Sequence, residues 1–246
     1  VLYFPLNEGT WVPDGNTNDL SPYTNYGLQR GNPLWVASSP QGSYALDFNG
    51  VNDYLRVNTS ASLHPTAAVS LAVWVKTNDC GNYESNPYIQ NPAYIIRHSS
   101  GNNIEFTIHA PTNTDYSAVL PNVDSSFNGV WHHLAGTFDG RYVKLYVDSV
   151  LENTVDTNGT TIATNTTWVG IAASPVAPEY FSGMLDEVRI YNKALSQTEV
   201  AWLATNGTGH FPITSPANLY KVDPKIINFK DFAMLAEGWL EEQLWP

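Results

Sequence analysis

The feature that most constrains the fold is a pair of alternating runs within residues 127–148. Residues 130–138 and 141–148 alternate apolar with polar side chains, and Asp139-Gly140 joins them. A two-residue Asp-Gly connection predicts a β-hairpin with a type I′ turn, because that turn needs a positive φ at both central residues. In this register Phe138 faces Arg141.

The predicted hairpin has one apolar face and one mixed face. It sets Leu134 opposite Leu145 and His133 opposite Tyr146. The apolar face holds Leu134, Phe138, Val143, Leu145 and Val147, and the mixed face holds Trp131, His133, Thr137, Tyr142, Lys144, Tyr146 and Asp148. A sheet that is buried on one side only is typical of an antiparallel sandwich.

Other segments repeat the alternating pattern. They lie at 1–6, 35–38, 45–57, 68–76, 93–98, 103–109, 117–120, 151–155, 167–171 and 181–192. Pro5 makes the first an edge strand, and 68–76 should be a central strand. Ser196 and Glu199 form the capping box of a short helix that ends near Ala204. Roughly ten to thirteen strands at this spacing predict an all-β fold, an antiparallel sandwich or jelly roll.

Composition restricts the partners and the setting. The chain has 246 residues and a formal net charge of −12, so nucleic acid and anionic membranes are not expected as partners. No apolar run approaches the length of a membrane span. Cys80 is the single cysteine and forms no internal disulfide. Low charge density and polar loops predict a secreted protein, and the strand-like start suggests a matured product or an excised domain.

The C-terminal residues change character. Two prolines in 211–217 predict a linker, and 218–246 predict a loop followed by one amphipathic helix. The apolar residues of that helix include Phe229, Phe232, Ala236, Trp239 and Leu240. A helix this short needs a docking surface, either its own sandwich or a neighbouring molecule.

Four segments in order carry a family resemblance: ALDFNGVNDYLRV, SLAVWVK, WHHLAGTFDGRYVKLYVD and FSGMLDEVRIYNKALSQTEV. Residues 1–204 resemble the bacterial laminin-G-like domains of the concanavalin A-like lectin/glucanase superfamily. The resemblance implies a jelly roll at 1–210. It also implies a non-catalytic, extracellular recognition or adhesion module that binds glycans or proteins, often with bound calcium.

The tail at 218–246 resembles the dockerin-like segments of secreted bacterial proteins. It lacks the glycine of a working calcium loop, and Tyr220 and Val222 stand where oxygen ligands are needed. A degenerate docking helix is the resulting interpretation.

A structural calcium ion in the sandwich is a further expectation. Asn49, Asn52 and Asp53 cluster in one turn, and the resemblance places Asp186 in the same sandwich. The alternative is that the two asparagines set the turn geometry and Asp53 caps backbone donors.

No pattern supports catalysis. Asp186 and Glu187 are adjacent, so on a regular strand they point to opposite faces and cannot both reach one sugar. Glu152 and Asp156 have a same-face spacing but lie beside a solvated turn. His132 and His133 likewise point apart, and no histidine pair has helical metal-ligand spacing. We therefore expect no enzyme, with a glycosidase as the least favoured alternative.

Aromatic residues in loops indicate ligand binding. The chain has eight Trp and 14 Tyr. Sugar rings stack on aromatic side chains, so the predicted binding surface is the 77–94 loop with its neighbouring turns, and its predicted residues are Tyr83, Tyr88, Tyr94, Tyr116 and Tyr180. The alternative is that some of these cover the sandwich edges, with Trp74, Trp131 and Trp168 in the core.

Self-assembly is a second class of function. A first strand with an unpaired edge can accept another strand, and the C-terminal helix can dock on a neighbouring subunit. Repeated head-to-tail contacts of this kind would build an extracellular filament or sheath.

Overall fold

A computed structural model describes residues 1–10, 16–78 and 86–205, together with the strand pair Phe211–Pro212 and Ile226–Ile227. The chain divides into two units, Val1–Val200 and Ala201–Pro246. In the second unit, Phe211–Pro212 pairs with Ile226–Ile227, so the first two residues of the predicted linker are extended strand. The rest of the predicted linker and of the dockerin-like tail lies outside the described residues and stays a prediction.

Strands are the main regular secondary structure of the described chain. In chain order the described strands are β1 (Leu2–Phe4), β2 (Asn16–Thr17), β3 (Gly27–Arg30), β4 (Leu34–Val36), β5 (Ala45–Asn49), β6 (Tyr54–Val57), β7 (Val69–Thr77), β8 (Asn86–Asn91), β9 (Tyr94–Ser99), β10 (Asn103–His109), β11 (Asp115–Leu120), β12 (His132–Phe138), β13 (Tyr142–Val147), β14 (Val150–Asp156), β15 (Val169–Ile171), β16 (Ser182–Tyr191), β17 (Phe211–Pro212) and β18 (Ile226–Ile227). The helix α1 spans Gln197–Ala204.

The strands of the first unit form two eight-stranded antiparallel sheets, which we name sheet A and sheet B. Sheet A has the order β14-β13-β12-β7-β16-β5-β4, with β1 also paired to β16. Sheet B has the order β11-β10-β9-β8-β15-β6-β3-β2. The predicted all-β sandwich is confirmed, with β7 central between β12 and β16 and β1 paired along one edge only.

The apolar sides of the two sheets form one core. All five residues of the predicted apolar face are buried, namely Leu134, Phe138, Val143, Leu145 and Val147. A Cβ atom on Gly136 of sheet A would lie 2.1 Å from the Phe106 ring of sheet B. The sheets therefore touch at Gly136, and even alanine does not fit there.

The hairpin between β12 and β13 forms, but its predicted register is wrong by two residues. Phe138 pairs with Val143, and Leu134 pairs with Val147. Because side chains alternate with a period of two, a shift of two residues leaves each side chain on the predicted face.

The loop of this hairpin explains the shift. Asp139 Oδ1 accepts the backbone N–H groups of Arg141 and Tyr142 at 2.9 and 2.7 Å. Gly140 has a φ of +96°, but Asp139 is not among the residues with positive φ. A type I′ turn needs positive φ at both positions, so the side chain of Asp139 stabilises a four-residue loop instead.

The predicted start of α1 is confirmed. Ser196 N donates to Glu199 Oε2 at 2.8 Å, and Glu199 N donates to Ser196 Oγ at 3.2 Å. These are the two reciprocal bonds of a capping box. Among the described residues, no helix has the length and apolar character needed to cross a membrane.

Candidate functional site

Five tyrosines are predicted to bind a ligand, and the structure disperses the four of them that lie in its described residues. Tyr88 lies in β8 and Tyr94 in β9, and both side chains are fully buried. Tyr116 packs against the core from β11. Tyr83 lies outside the described residues, and Tyr180 is partly exposed on the surface.

The predicted loop location of Tyr88 and Tyr94 is wrong because residues 86–99 form a hairpin. Asn91 pairs with Tyr94, and Asn91 Oδ1 accepts the backbone N–H of Ala93 at 3.0 Å. Tyr94 donates its hydroxyl to the carbonyl of Leu63 at 2.8 Å. The Asn and Pro residues of this segment close a tight turn, and the two tyrosines belong to the core, where a ligand cannot stack on them.

The outer face of sheet B has three neighbouring rings, which we name the aromatic row: Tyr54, Trp168 and Tyr180. Tyr54 alternates with buried residues in β6, so it points away from the core. Its ring stacks with Trp168, with centroids 5.7 Å apart and planes at 29°. The Tyr180 centroid lies 6.0 Å from that of Tyr54. All three rings are partly exposed, so the row offers aromatic surface to a ligand.

The arrangement of the aromatic row requires a glycine at position 170. It pairs with Arg56 on one side and with Gln90 on the other, on the outer face of sheet B. A Cβ atom on Gly170 would lie 2.0 Å from the carbonyl oxygen of Ala173 and 3.3 Å from the Trp168 ring. The chain after β15 therefore folds back over Gly170, and a side chain there would displace both the backbone and the indole.

A guanidinium group lies beside the aromatic row. Arg56 Cζ is 5.3 Å from the centroid of the Trp168 ring, a cation–π arrangement. Arg56 Nε is buried and has no hydrogen-bond acceptor among the described residues. Arg30, on the neighbouring strand β3, is paired with Tyr54. The row thus combines apolar stacking surface with positive charge.

Sequence reasoning did not include Trp168 in the predicted binding surface and placed it in the core only in the alternative interpretation, although a usable signal was present. In residues 168–171 the order is Trp-Val-Gly-Ile, and both Val169 and Ile171 are buried in the core. Strand alternation then puts Trp168 and Gly170 on the opposite, outer face. A tryptophan beside an outward-facing glycine is a sequence feature that predicts this platform.

The outer face of sheet A holds a second polar group, which we name the charged cluster: Tyr3, Asp186, Glu187 and Arg189. It forms at a β-bulge, where three steps along β16 match two steps along β7. The extra residue is Glu187, which has a φ of +51°. Val188, which follows it, is buried in the core.

Because of the bulge, Glu187 lies on the same side of sheet A as Asp186. Its carboxylate accepts a hydrogen bond from the Tyr3 hydroxyl at 3.2 Å and another from Arg189. The prediction that these two adjacent acids point to opposite faces is therefore wrong. An unrecognised bulge, rather than a wrong strand assignment, is the reason.

The charged cluster is closed within the protein. Asp186 is fully buried, and it accepts hydrogen bonds from Ser39 Oγ at 2.5 Å and from Glu187 N at 2.9 Å. Burial raises the pKa of Asp186 to about 7 and that of Tyr3 to about 12. Glu187 is only 5% exposed. Two carboxylates whose oxygens already accept bonds from the protein form a structural network, not an acid and a base that face a substrate.

The turn between β5 and β6 holds three of the four predicted calcium ligands. Asn49 Oδ1 accepts the backbone N–H groups of Val51, Asn52 and Asp53 at 2.8 to 3.2 Å. Asp53 in turn accepts the backbone N–H groups of Asn32 and Asn49. These contacts are those of the alternative interpretation, in which the side chains set and cap the turn.

The structure does not bring Asp186 to that turn. Asn49 pairs with Ser182, and Asp186 follows four residues later in β16, roughly 13 Å along the strand. Within the described residues, no three His, Cys, Asp or Glu side chains cluster as metal ligands. Calcium binding stays a prediction, to be checked by metal analysis and by melting with and without chelator.

The two adjacent histidines point apart, as predicted. The His132 ring stacks on Phe127 with centroids 3.7 Å apart, whereas His133 contacts Trp74 edge-on at 5.4 Å. Burial lowers the pKa of His133 to about 3. Both rings are thus involved in packing, on opposite sides of sheet A.

The first strand does not present the fully unpaired edge that self-assembly requires. Tyr3 N donates to Asp19 Oδ1 at 2.9 Å, and Leu20 N donates to the Tyr3 carbonyl, also at 2.9 Å. At Tyr3 the outer side of β1 is therefore already hydrogen-bonded within the chain. The C-terminal helix of that hypothesis lies outside the described residues, so the hypothesis stays a prediction.

A cleft of about 320 Å³ lies where β10 and β11 meet. His109, Asn113, Asp115 and Asn165 line it together with alanine and proline side chains. His109 and Asp115 bond to each other. The lining includes no Tyr, Trp or Phe, so the cleft lacks the stacking surface that the aromatic row provides.

The fold defines a two-sheet jelly-roll domain with partly exposed aromatic rings on the outer face of sheet B. The chain belongs to the concanavalin A-like lectin/glucanase superfamily, since a laminin-G-type family model with that description matches residues 48–201. No curated protein matches the chain in sequence.

Solved structures with the same fold include binding domains of bacterial toxins. The binding domain of paraclostridial mosquitocidal protein 1 is 14% identical, with a TM-score of 0.68 over 87% of this chain and 53% of that one. The ligand-binding domain of botulinum neurotoxin serotype D, in complex with N-acetylneuraminic acid, is 14% identical, with a TM-score of 0.60 over 86% of this chain and 52% of that one. The chain thus spans about half the length of these toxin domains.

A third structure is similar over most of both chains. Domain 4 of AbnA, an extracellular arabinanase from Geobacillus stearothermophilus, is in complex with arabinotriose. It is 21% identical, with a TM-score of 0.55 over 71% of this chain and 82% of that one. At these identities the similarities establish the shared fold.

Proposed function

We propose that the protein is a non-catalytic carbohydrate-binding domain of an extracellular protein, and that the outer face of sheet B is its binding surface. The observation that carries the proposal is the aromatic row, three partly exposed rings in which the centroids of Trp168 and Tyr180 lie 5.7 and 6.0 Å from that of Tyr54. The C–H groups of a sugar ring carry partial positive charge and favour the negative face of an aromatic ring. A row of such rings suits a chain of several sugar units.

The related structures support a binding role. One is described as a complex with arabinotriose and one as a complex with N-acetylneuraminic acid, and the third is a toxin binding domain. The closed charged cluster on sheet A supports the absence of catalysis, because its two acids have their partners inside the protein. The extracellular setting is supported by the arabinanase, which is described as extracellular.

Replacing Trp168 with alanine tests the proposal. We expect the purified domain to bind at least one oligosaccharide on a glycan array, and Trp168→Ala to weaken that binding about tenfold or more, because the largest ring of the row is removed. Isothermal titration with the best array ligand measures the change, and the melting temperature shows that the variant is folded.

Tyr142 on sheet A supplies a matched control. Its ring also has cations close to its face, Arg141 at 5.1 Å and Lys144 at 5.8 Å, but it lies on the other sheet. Tyr142→Ala should leave the affinity unchanged. Equal losses for the two variants, or no effect of Trp168→Ala, would place the binding surface elsewhere.

A further inference from the structure

We infer that the outer face of sheet B binds an acidic glycan, in which a uronate carboxylate pairs with Arg56 while the sugar ring contacts the aromatic row. This inference rests on the proposed function and names the class of sugar that the same surface takes. The arginines of the chain differ in whether they pair with a carboxylate.

Three of the five arginines have carboxylate partners. Arg97 bonds Glu105 at 2.6 Å, Arg141 bonds Asp156 at 2.8 Å, and Arg189 bonds Glu187. Among the described residues, neither Arg30 nor Arg56 has one, although the chain has 23 Asp and Glu. The two arginines without a carboxylate both belong to the strands β3 and β6 of sheet B.

Arg56 also has an unfilled hydrogen-bonding position. Its Nε is buried without an acceptor in the described chain, and a buried donor without a partner is costly. Asp53, three residues away, is not available to it: Asp53 is 3% exposed and accepts backbone N–H groups from Asn32 and Asn49. Arg30 is exposed, and it donates to the backbone carbonyl of Gln29.

A carboxylate is the natural partner for such a guanidinium. The planar guanidinium group can donate two parallel hydrogen bonds to a carboxylate, and such charge-assisted pairs are among the stronger hydrogen bonds. In a uronic acid the carboxylate is attached directly to the sugar ring. A ring stacked on Tyr54 or Trp168 would therefore bring its carboxylate within reach of Arg56, which lies beside Trp168.

The net negative charge of the protein restricts the binding of an acidic glycan to a local site. With a net charge of −12 the protein repels polyanions at long range. An acidic glycan is then bound only where an unpaired cation and a stacking surface coincide. On the described surface, the aromatic row with Arg56 meets both requirements.

Uronate oligosaccharides and their methyl esters provide matched probes, because the ester keeps the ring and removes the charge. The probes are oligogalacturonate, oligoglucuronate and oligomannuronate, each titrated against the intact chain with its ester. We expect at least one uronate to bind about tenfold more tightly than its ester. In Arg56→Gln the ratio of the ester Kd to the uronate Kd should fall close to one. In Arg56→Lys this ratio should be intermediate, because lysine keeps the charge but loses the bidentate geometry.

Arg141→Gln is the control, since it removes an exposed, paired arginine of the loop just before β13 and should keep the tenfold ratio. Uronates that bind no more tightly than their esters, or an unchanged ratio in Arg56→Gln, would overturn the inference. The proposed function would survive that result if Trp168→Ala still weakened binding of a neutral glycan. Absence of binding to every glycan would reject both.

Discussion

The outer faces of the two sheets hold polar groups in opposite states. On sheet A the charged cluster satisfies itself: Glu187 accepts bonds from Tyr3 and Arg189, and Asp186 accepts one from Ser39. On sheet B, Arg56 has no carboxylate partner in the described chain, and the rings beside it are partly exposed. The same strand scaffold thus supports one closed face and one open face.

Under the proposed function, the residues with shifted pKa values lie away from the binding surface. The largest shifts on the outer surface belong to sheet A, where burial raises the pKa of Asp186 and lowers that of His133. Structural ion-pair networks shift pKa values as active sites do. Unpaired donors beside exposed rings are the better indication of a ligand here.

The strongest test of the closed face is Arg189→Met. Arg189 is mostly buried, contacts the face of the Tyr3 ring at 3.9 Å and pairs with Glu187, which is also buried. Removing it leaves a buried carboxylate without its partner, so we expect a loss of about 3–5 kcal/mol in the free energy of unfolding. Urea denaturation measures this loss.

The exposed pair Arg141–Asp156 gives the comparison for this experiment. Its side chains are 57% and 38% exposed, so Arg141→Met should destabilise the protein much less than Arg189→Met does. Similar losses for Arg141→Met and Arg189→Met would mean that the cluster on sheet A is not the closed network described above.

Asp186→Asn tests the closed face through pH. The pKa of Asp186 is raised from 3.8 to about 7 in the folded protein, so between pH 4 and 7 the folded state holds a proton that the unfolded state has released. The wild-type protein therefore loses stability from this group as the pH rises through that range. Asp186→Asn lacks this loss, and its stability relative to wild type should rise by about 2–4 kcal/mol from pH 4 to pH 8.

The measurement is a series of urea denaturation curves at pH 4.5, 6 and 8 for both proteins. His133 acts in the opposite direction, because its pKa is lowered to about 3 and its contribution to stability increases with pH. Only the difference between variant and wild type isolates Asp186. A difference that does not change with pH would contradict the raised pKa.

Among the three test variants, Gly170→Ala on the open face has the smallest expected effect on stability. Gly170→Ala places a Cβ atom 2.0 Å from the Ala173 carbonyl oxygen, so the chain after β15 must move, at a cost of about 1–3 kcal/mol. Glycan affinity should fall as well, since the Trp168 ring packs against the same position. Gly159→Ala is a useful comparison, because no atom lies within 4 Å of its Cβ position, although its positive φ adds strain. Loss of stability without loss of binding in Gly170→Ala would separate Trp168 from the site.

The alternation of apolar and polar residues predicted which face of each strand lies in the core. It could not predict local irregularities of one or two residues, such as an altered hairpin loop or a β-bulge. The five apolar residues of the central hairpin are buried as predicted, even though Asp139 changes the register. Tyr88 and Tyr94 were placed in a loop, because Asn and Pro near a tight turn resemble a long connection. The candidate site requires Trp168 and Tyr54 to lie on the outer face of sheet B. Strand alternation predicts that face only when the strand boundaries are known.

The extra residue at Glu187 also sets which way the end of β16 faces. With it, Arg189 pairs with Ala72 on the outside of sheet A, and Ile190 pairs with Leu71 in the core. Deleting one residue at this point would exchange inside and outside for the remainder of the strand, burying a guanidinium in the apolar core. Homologous chains should therefore vary in length within their loops, while β16 keeps two residues between the pairs Asp186–Trp74 and Arg189–Ala72.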